Sequence, residues 1–193
     1  MFSLETVISD RDVKRIAAGL GGYSRRLPQQ LAIIVNATAK KVRTKMSRDV
    51  RSEMAIKARD MNRMLSVRKA HKGRISAVVT LKHSFRPSLK AFSPRQTRKG
   101  VTYRISKKGS RKLAIGGFMG AKPGQLSVKL RGHVYKRVTK KRLPLTRLDG
   151  ASAWASFNHN GMKPPTKLYA RRELRKQIKR RANYLTLKRK GKI

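Results

Sequence analysis

Apolar residues recur at spacings of three and four over several stretches of the chain. The longest starts at Leu27 and continues through Leu31, Ile34, Val35, Thr38, Val42, Met46 and Val50. It predicts one long amphipathic helix, with Pro28 in its first turn. Ahead of it, Asp10 is a candidate N-cap for a short helix with Val13, Ile16 and Leu20 on one face, ended by Gly21 and Gly22. A second helical run follows, with Ala58, Met61 and Leu65 on one side and Lys57, Arg59, Arg63 and Arg68 around the rest. The last run sets Leu168, Leu174, Ile178, Ala182 and Leu185 among Arg171, Arg172, Arg175, Lys176, Lys179, Arg180 and Arg181.

Between Gly73 and Tyr103 the period drops to two. Ile75, Ala77, Val79 and Leu81 alternate with Arg74, Ser76, Val78, Thr80 and Lys82, which predicts a strand with one buried face. Further short strands are expected at Leu89–Phe92, Val101–Ile105, Leu113–Phe118, Leu126–Leu130 and His133–Val138. Strands this close in sequence pair most readily as an antiparallel meander. The predicted class is α+β: the long N-terminal helix and further helices packed on an antiparallel sheet of about five strands, with a basic C-terminal helix. Residues 1–157 read as a single domain. Gly161, Pro164 and Pro165 mark 158–167 as a linker or arm, and 168–193 as the C-terminal helix and tail.

Charge changes this picture from an ordinary small domain to a polyanion-associated one. Lys and Arg number 51 against 8 Asp and Glu, a net charge of +43. Such a chain repels itself unless counter-charge lies close by, and nucleic acid is the densest polyanion in a cell. A membrane surface is the competing polyanion, but no apolar stretch of about 18 residues is present to span one. Met1–Asp10 carries Glu5 and Asp10 and lacks the basic and apolar regions of a secretory signal, so export is not expected.

The residues offer little for catalysis. There are no cysteines, which removes disulfides, thiolate chemistry and Cys-ligated zinc together. His71, His83, His133 and His159 are scattered, and none lies at ligand spacing from an acidic pair. Asp49 and Glu53, four apart on the long helix, suit intrahelical pairing with neighbouring cations, and Asp149 before Gly150 suits a turn. No phosphate-binding glycine loop or nucleophile elbow occurs. The expectation is a protein that is not an enzyme and takes no metal or cofactor. Asn36-Ala37-Thr38 matches a glycosylation sequon, but mid-helix in a chain not expected to be exported.

Two basic loops, Ser93–Gly100 and Lys107–Lys112, could not be buried. Arg95, Arg98, Lys99, Lys107, Lys108, Arg111 and Lys112, with Lys140, Lys141 and Arg142, are the candidate cations facing DNA or an acidic partner. With one Trp, five Tyr and five Phe, stacking on single strands is disfavoured. The mildly apolar patch Ala151–Phe157, with Trp154 and Phe157, needs burial somewhere.

The sharpest local motif is Gly132-His133-Val134-Tyr135-Lys136-Arg137-Val138, then Lys140-Lys141-Arg142-Leu143-Pro144-Leu145, then Leu148-Asp149-Gly150-Ala151-Ser152. It resembles the tail-completion proteins of tailed phages related to minor tail protein Z of lambda-like phages. There a strand turns through basic residues into an Arg-Leu-Pro run and then a small-residue segment. The long N-terminal helix with Asn36 near its middle, Gly116-Gly117-Phe118 before the motif and the basic C-terminal helix agree in order. Ala151 stands where many relatives carry proline, and residues 158–166 have no obvious counterpart in the family.

What the resemblance implies is a structural virion protein at the head-proximal end of the tail or neck, made in the host cytoplasm. It would form a homo-oligomeric ring, sixfold, around the DNA channel and help hold the genome end. Its partners would be duplex DNA, bound without sequence preference, and other tail or neck proteins, with no membrane. Leu143, Pro144 and Leu145, with Trp154 and Phe157, would then be the subunit interface. The first three read equally well as an ordinary strand with a proline start. The rival reading is a ribosomal-type or other basic nucleic-acid-binding protein, whose composition is just as cationic.

Overall fold

The computed structural model describes residues 2–5, 10–20, 22, 25–83, 85–119 and 132–191; the strand expected at Leu126–Leu130 lies outside them. Helical periodicity decides α1 (Asp10–Gly19), α2 (Leu27–Glu53), α3 (Ala58–Met64), α4 (Ala153–His159) and α5 (Lys163–Arg189). Asp10 is the first helical residue of α1 rather than the residue before it. In α2 the whole anticipated line, Leu27, Leu31, Ile34, Val35, Thr38, Val42, Met46 and Val50, is buried. Each fully buried aliphatic side chain there contributes about 1.5–3 kcal/mol relative to exposure. Thr38 fits among them because its hydroxyl donates to the Ile34 carbonyl at 3.0 Å.

The class is α+β, with small antiparallel sheets rather than one sheet of about five strands. The strands are β1 (Phe2–Glu5), β2 (Leu65–Arg68), β3 (Val78–Leu81), β4 (Arg95–Thr97), β5 (Gly100–Tyr103), β6 (Lys112–Ile115), β7 (Gly117–Met119), β8 (Val134–Arg137) and β9 (Leu145–Arg147). Among the described residues they form three sheets, ordered β1-β3-β2, β4-β5-β6 and β7-β8-β9. The expected strand Leu113–Phe118 is broken into β6 and β7 by Gly116, whose φ of 69° no strand can hold. The Ser93–Gly100 loop contains β4, and its Arg98-Lys99 turn leads into Gly100. A side chain at Gly100 would place its Cβ 2.1 Å from the Ala114 carbonyl oxygen, so the hairpin requires glycine there.

Two further expectations fail for local reasons. The second helix stops at Met64, and Leu65–Arg68 pairs with β3, Leu65 opposite Leu81 and Val67 opposite Val79. Leu65 satisfies the helical spacing from Met61 and the two-residue period with Val67 equally well, and strand pairing decides. Leu89–Phe92 is a 3-10 turn, started by the Ser88 hydroxyl accepting from the Lys90 N–H. Leu89, Ala91 and Phe92 are all buried, an arrangement a strand that alternates its faces cannot give.

The chain divides into two compact units, a different partition from one domain plus a terminal helix. The first holds residues 1–46, 65–81 and 161–193, and the second 47–64 and 82–160. In the first, Ile16 and Ala17 of α1, Leu27, Leu31 and Ile34 of α2, and Leu174, Ile178 and Leu185 of α5 form one apolar cluster. The expected arm at 158–167 is mostly helical, since α4 ends at His159 and α5 begins at Lys163. Pro164 and Pro165 fall in the first turn of α5, where backbone N–H groups have no intrahelical partner to lose.

In the second unit the segment after β9 folds back on the segment before the 3-10 turn. Leu89 N–H donates to the Leu148 carbonyl at 3.0 Å and Gly150 N–H to the Pro87 carbonyl at 2.7 Å. Gly150 lies flat against the Phe92 ring: a Cβ there would sit 2.2 Å from a ring carbon. Ser152 caps α4 through the Trp154 N–H, and Ala153 and Phe157, four apart, turn inward.

Candidate nucleic-acid interface

α5 carries the densest array of charge. Its buried line is Thr166, Ala170, Leu174, Ile178, Ala182 and Leu185. The opposite side exposes Lys167, Arg171, Arg172, Arg175, Lys176, Lys179, Arg180 and Lys188. At 1.5 Å per residue the 27-residue helix is about 40 Å long. Lys167, Arg171, Arg175 and Lys179 stack at four-residue intervals in one column, and Arg172, Lys176 and Arg180 in the next. Like charges at this spacing cost about 0.2–0.5 kcal/mol per pair, so the five pairs within the two columns oppose the helix by about 1–2.5 kcal/mol. The single acid of α5, Glu173, accepts from Gln177 at 2.6 Å.

Not every cation of α5 projects. Arg181 donates from Nε to Gln30 Oε1 of α2 at 2.7 Å and lies 4.8 Å over the Tyr184 ring. Arg189 donates to the Ala18 carbonyl of α1 at 3.4 Å. These two tie the helix to α2 and α1 within the first unit. Alongside, Arg11 and Arg15 of α1 and Arg175 and Lys179 of α5 line a groove of about 460 Å³, with Asp12 as its one acid. Four cations facing one another across a groove suit a phosphate chain.

The cations expected from sequence lie in the second unit. Arg95, Arg98 and Lys99 are exposed on the β4–β5 hairpin, Lys107, Lys108 and Lys112 around the turn into β6, and Lys140, Lys141 and Arg142 between β8 and β9. Lys108 reaches Glu53 at 3.6 Å, so Glu53 serves this turn rather than pairing along α2. Arg111 is a strut: its guanidinium donates to the Ser93 carbonyl at 2.6 Å, the Thr102 carbonyl at 3.1 Å and the Thr102 hydroxyl at 3.3 Å. Arg137 closes the Lys140–Arg142 turn by donating to the Arg142 carbonyl at 2.8 Å and covers the Phe118 ring at 5.6 Å.

Of the expected interface residues, Leu143 (66% accessible) and Pro144 are exposed, and Leu145 is half-buried at the start of β9. Trp154 is half-buried, edge-on to His83 with centroids 4.3 Å apart. Phe157 is 0% accessible and belongs to the core of its own unit, which removes it from any subunit interface.

A second cationic site went unread in the sequence. Lys57, Arg59 and Arg63 at α3, Arg86 and Lys90 around the 3-10 turn, and Arg147 of β9 line a cleft of about 420 Å³ in the second unit. Inside it His133 Nδ1 and Ser88 Oγ are 2.9 Å apart. Asp60 lies 4.0 Å from Arg63, and Asp149 holds Arg147 at 2.9 Å. The Asp149 hydrogen bond, then its charge, raises the Arg147 guanidinium above its ordinary value. Lys57, Arg59 and Arg63 lie in one short stretch and Arg86 and Lys90 in another, with Arg147 distant from both, and no spacing could have joined the three segments.

Among the described residues, no three His, Asp or Glu side chains converge to hold a metal ion, and no helix is long and apolar enough to cross a membrane. No protein-family model, no curated protein and no solved structure matches this chain.

Proposed function

We propose that this protein is an architectural, non-catalytic component of a phage virion that completes the head-proximal end of the tail or neck, grips duplex DNA by its phosphates and helps hold the genome end. The observation that carries the nucleic-acid part is the exposed side of α5, with seven cations in two columns against Glu173 on the helix and Asp12 across the groove. A phosphate backbone relieves that repulsion and releases its own counterions on contact. Phosphate contacts need no sequence reading, which fits a protein that must accept whatever sequence ends a genome. The tail assignment rests on the Gly132–Ser152 motif, which folds as β8, a basic turn, β9 and the capped start of α4.

The test combines light scattering with duplex titrations across a range of salt. If the six cations from Arg171 to Arg180 all meet phosphates, the logarithm of affinity falls with the logarithm of salt at a slope of about −5. A discrete ring-sized oligomer with that slope, indifferent to duplex sequence, is the expected result. A strict monomer that prefers structured RNA over duplex would replace this proposal with the ribosomal-type reading.

A further inference from the structure

β2 is an edge strand: among the described residues it pairs with β3 alone. The Lys82 N–H donates to the Met64 carbonyl at 3.0 Å, which makes Met64 and Lys82 a hydrogen-bonded pair. Hydrogen-bonded and open pairs alternate along an antiparallel ladder. Ser66 and Arg68 therefore bond inward to β3, and Leu65 and Val67 turn their peptide N–H and C=O groups to the open side. That edge offers about 13 Å of strand.

Beside it runs a groove of about 650 Å³, with Ala37, Lys40 and Arg43 of α2 on one wall and Leu65, Val67 and Lys69 on the other. Ala37, Leu65 and Val67 give the groove an apolar floor, while Lys40, Arg43 and Lys69 give it positive charge and no acid lines it. At its end the Asn36 side chain bonds Ala70 twice, accepting from its N–H at 2.8 Å and donating to its carbonyl at 2.9 Å. Those two bonds occupy both main-chain groups of Ala70, so an added strand would find none of them open there.

We propose that this edge binds an extended acidic segment of a partner protein, which adds as a fourth strand outside β2. Main-chain bonds to Leu65 and Val67 would hold it in register. Alternate apolar side chains would enter the groove, and carboxylates would meet Lys40, Arg43 and Lys69. The partner is another protein, because this chain has only 8 acids against 51 cations. Nucleic acid has no alternating amide ladder with which to pair. Strand addition at β2 is independent of phosphate binding by α5, and either can fail without the other.

The probe is a fluorescent six-residue peptide alternating Glu and Val, titrated into the full-length protein at physiological salt. Two N-methylated isomers, blocked at the Glu or at the Val amides, carry the same charge. The expected result is that one isomer binds like the parent and the other about tenfold or more weakly, with amide exchange at Leu65 and Val67 slowed by the parent peptide. Equal binding by both isomers, unchanged exchange at those two amides, or no binding at all would overturn the proposal. The groove cations would then serve only to keep the edge from pairing.

Discussion

Replacing Arg171, Arg175 and Lys179 with Gln separates the role of the α5 cations from their effect on the helix. These positions are exposed and belong to one column with Lys167. If each neutralises one phosphate, the triple variant lowers the steepness of the salt dependence by about 2.7. At about 0.15 M salt each lost contact forfeits about 1 kcal/mol of counterion release, so three weaken duplex binding on the order of 100-fold. Stability moves the other way. The substitutions remove three like-charged pairs at four-residue spacing, and Gln is about as good a helix former as Arg or Lys. The free variant should therefore gain about 0.6–1.5 kcal/mol and melt at a higher temperature. Fluorescence anisotropy against salt measures the first effect, and thermal unfolding followed by circular dichroism the second. Unchanged affinity and slope would refute the assignment of the α5 face; a lowered Tm would refute the claim that its cations strain the free protein.

The remaining predictions concern the second unit. Gly150→Ala drives a methyl group into the Phe92 ring, 2.2 Å from a ring carbon, and overpacking of this kind costs about 1–3 kcal/mol in denaturant melts. Phe157→Ala empties a site that is 0% accessible and should cost about 3–5 kcal/mol, while Leu143→Ser, at a 66% accessible position, should leave the isolated protein's stability within about 0.5 kcal/mol. Arg111→Gln removes the strut to Ser93 and Thr102 and should lower stability by about 1–3 kcal/mol, with the salt slope of duplex binding unchanged. A reduced slope would instead return Arg111 to the nucleic-acid surface.

The helices were legible because their determinants are local. The line from Leu27 to Val50 and the line from Leu174 to Leu185 each declare a buried side by spacing alone, and both are buried. The alternation of Ala77, Val79 and Leu81 marked β3 in the same way. The charge of +43 pointed to a polyanionic partner whatever the fold. The cations of α5 were visible as a basic helix, but nothing in their spacing set them above the basic loops, where a charge run between strands cannot be buried either.

Where two local periods compete, the chain's neighbours decide. Leu65 closes a helical pattern and opens a strand pattern, and pairing with Leu81 selects the strand. Phe157 and Leu143 looked alike as apolar residues in search of cover, but α4 takes Phe157 into the core and leaves Leu143 outside. Hydrophobic period and net charge, summed over adjacent residues, were thus determined by the sequence itself: an α+β chain of strong positive charge. The cleft from Lys57 to Arg147 and the open edge of β2 depend on residues brought together from distant segments. Only tertiary structure could decide them, because chain closure rather than spacing makes those residues neighbours.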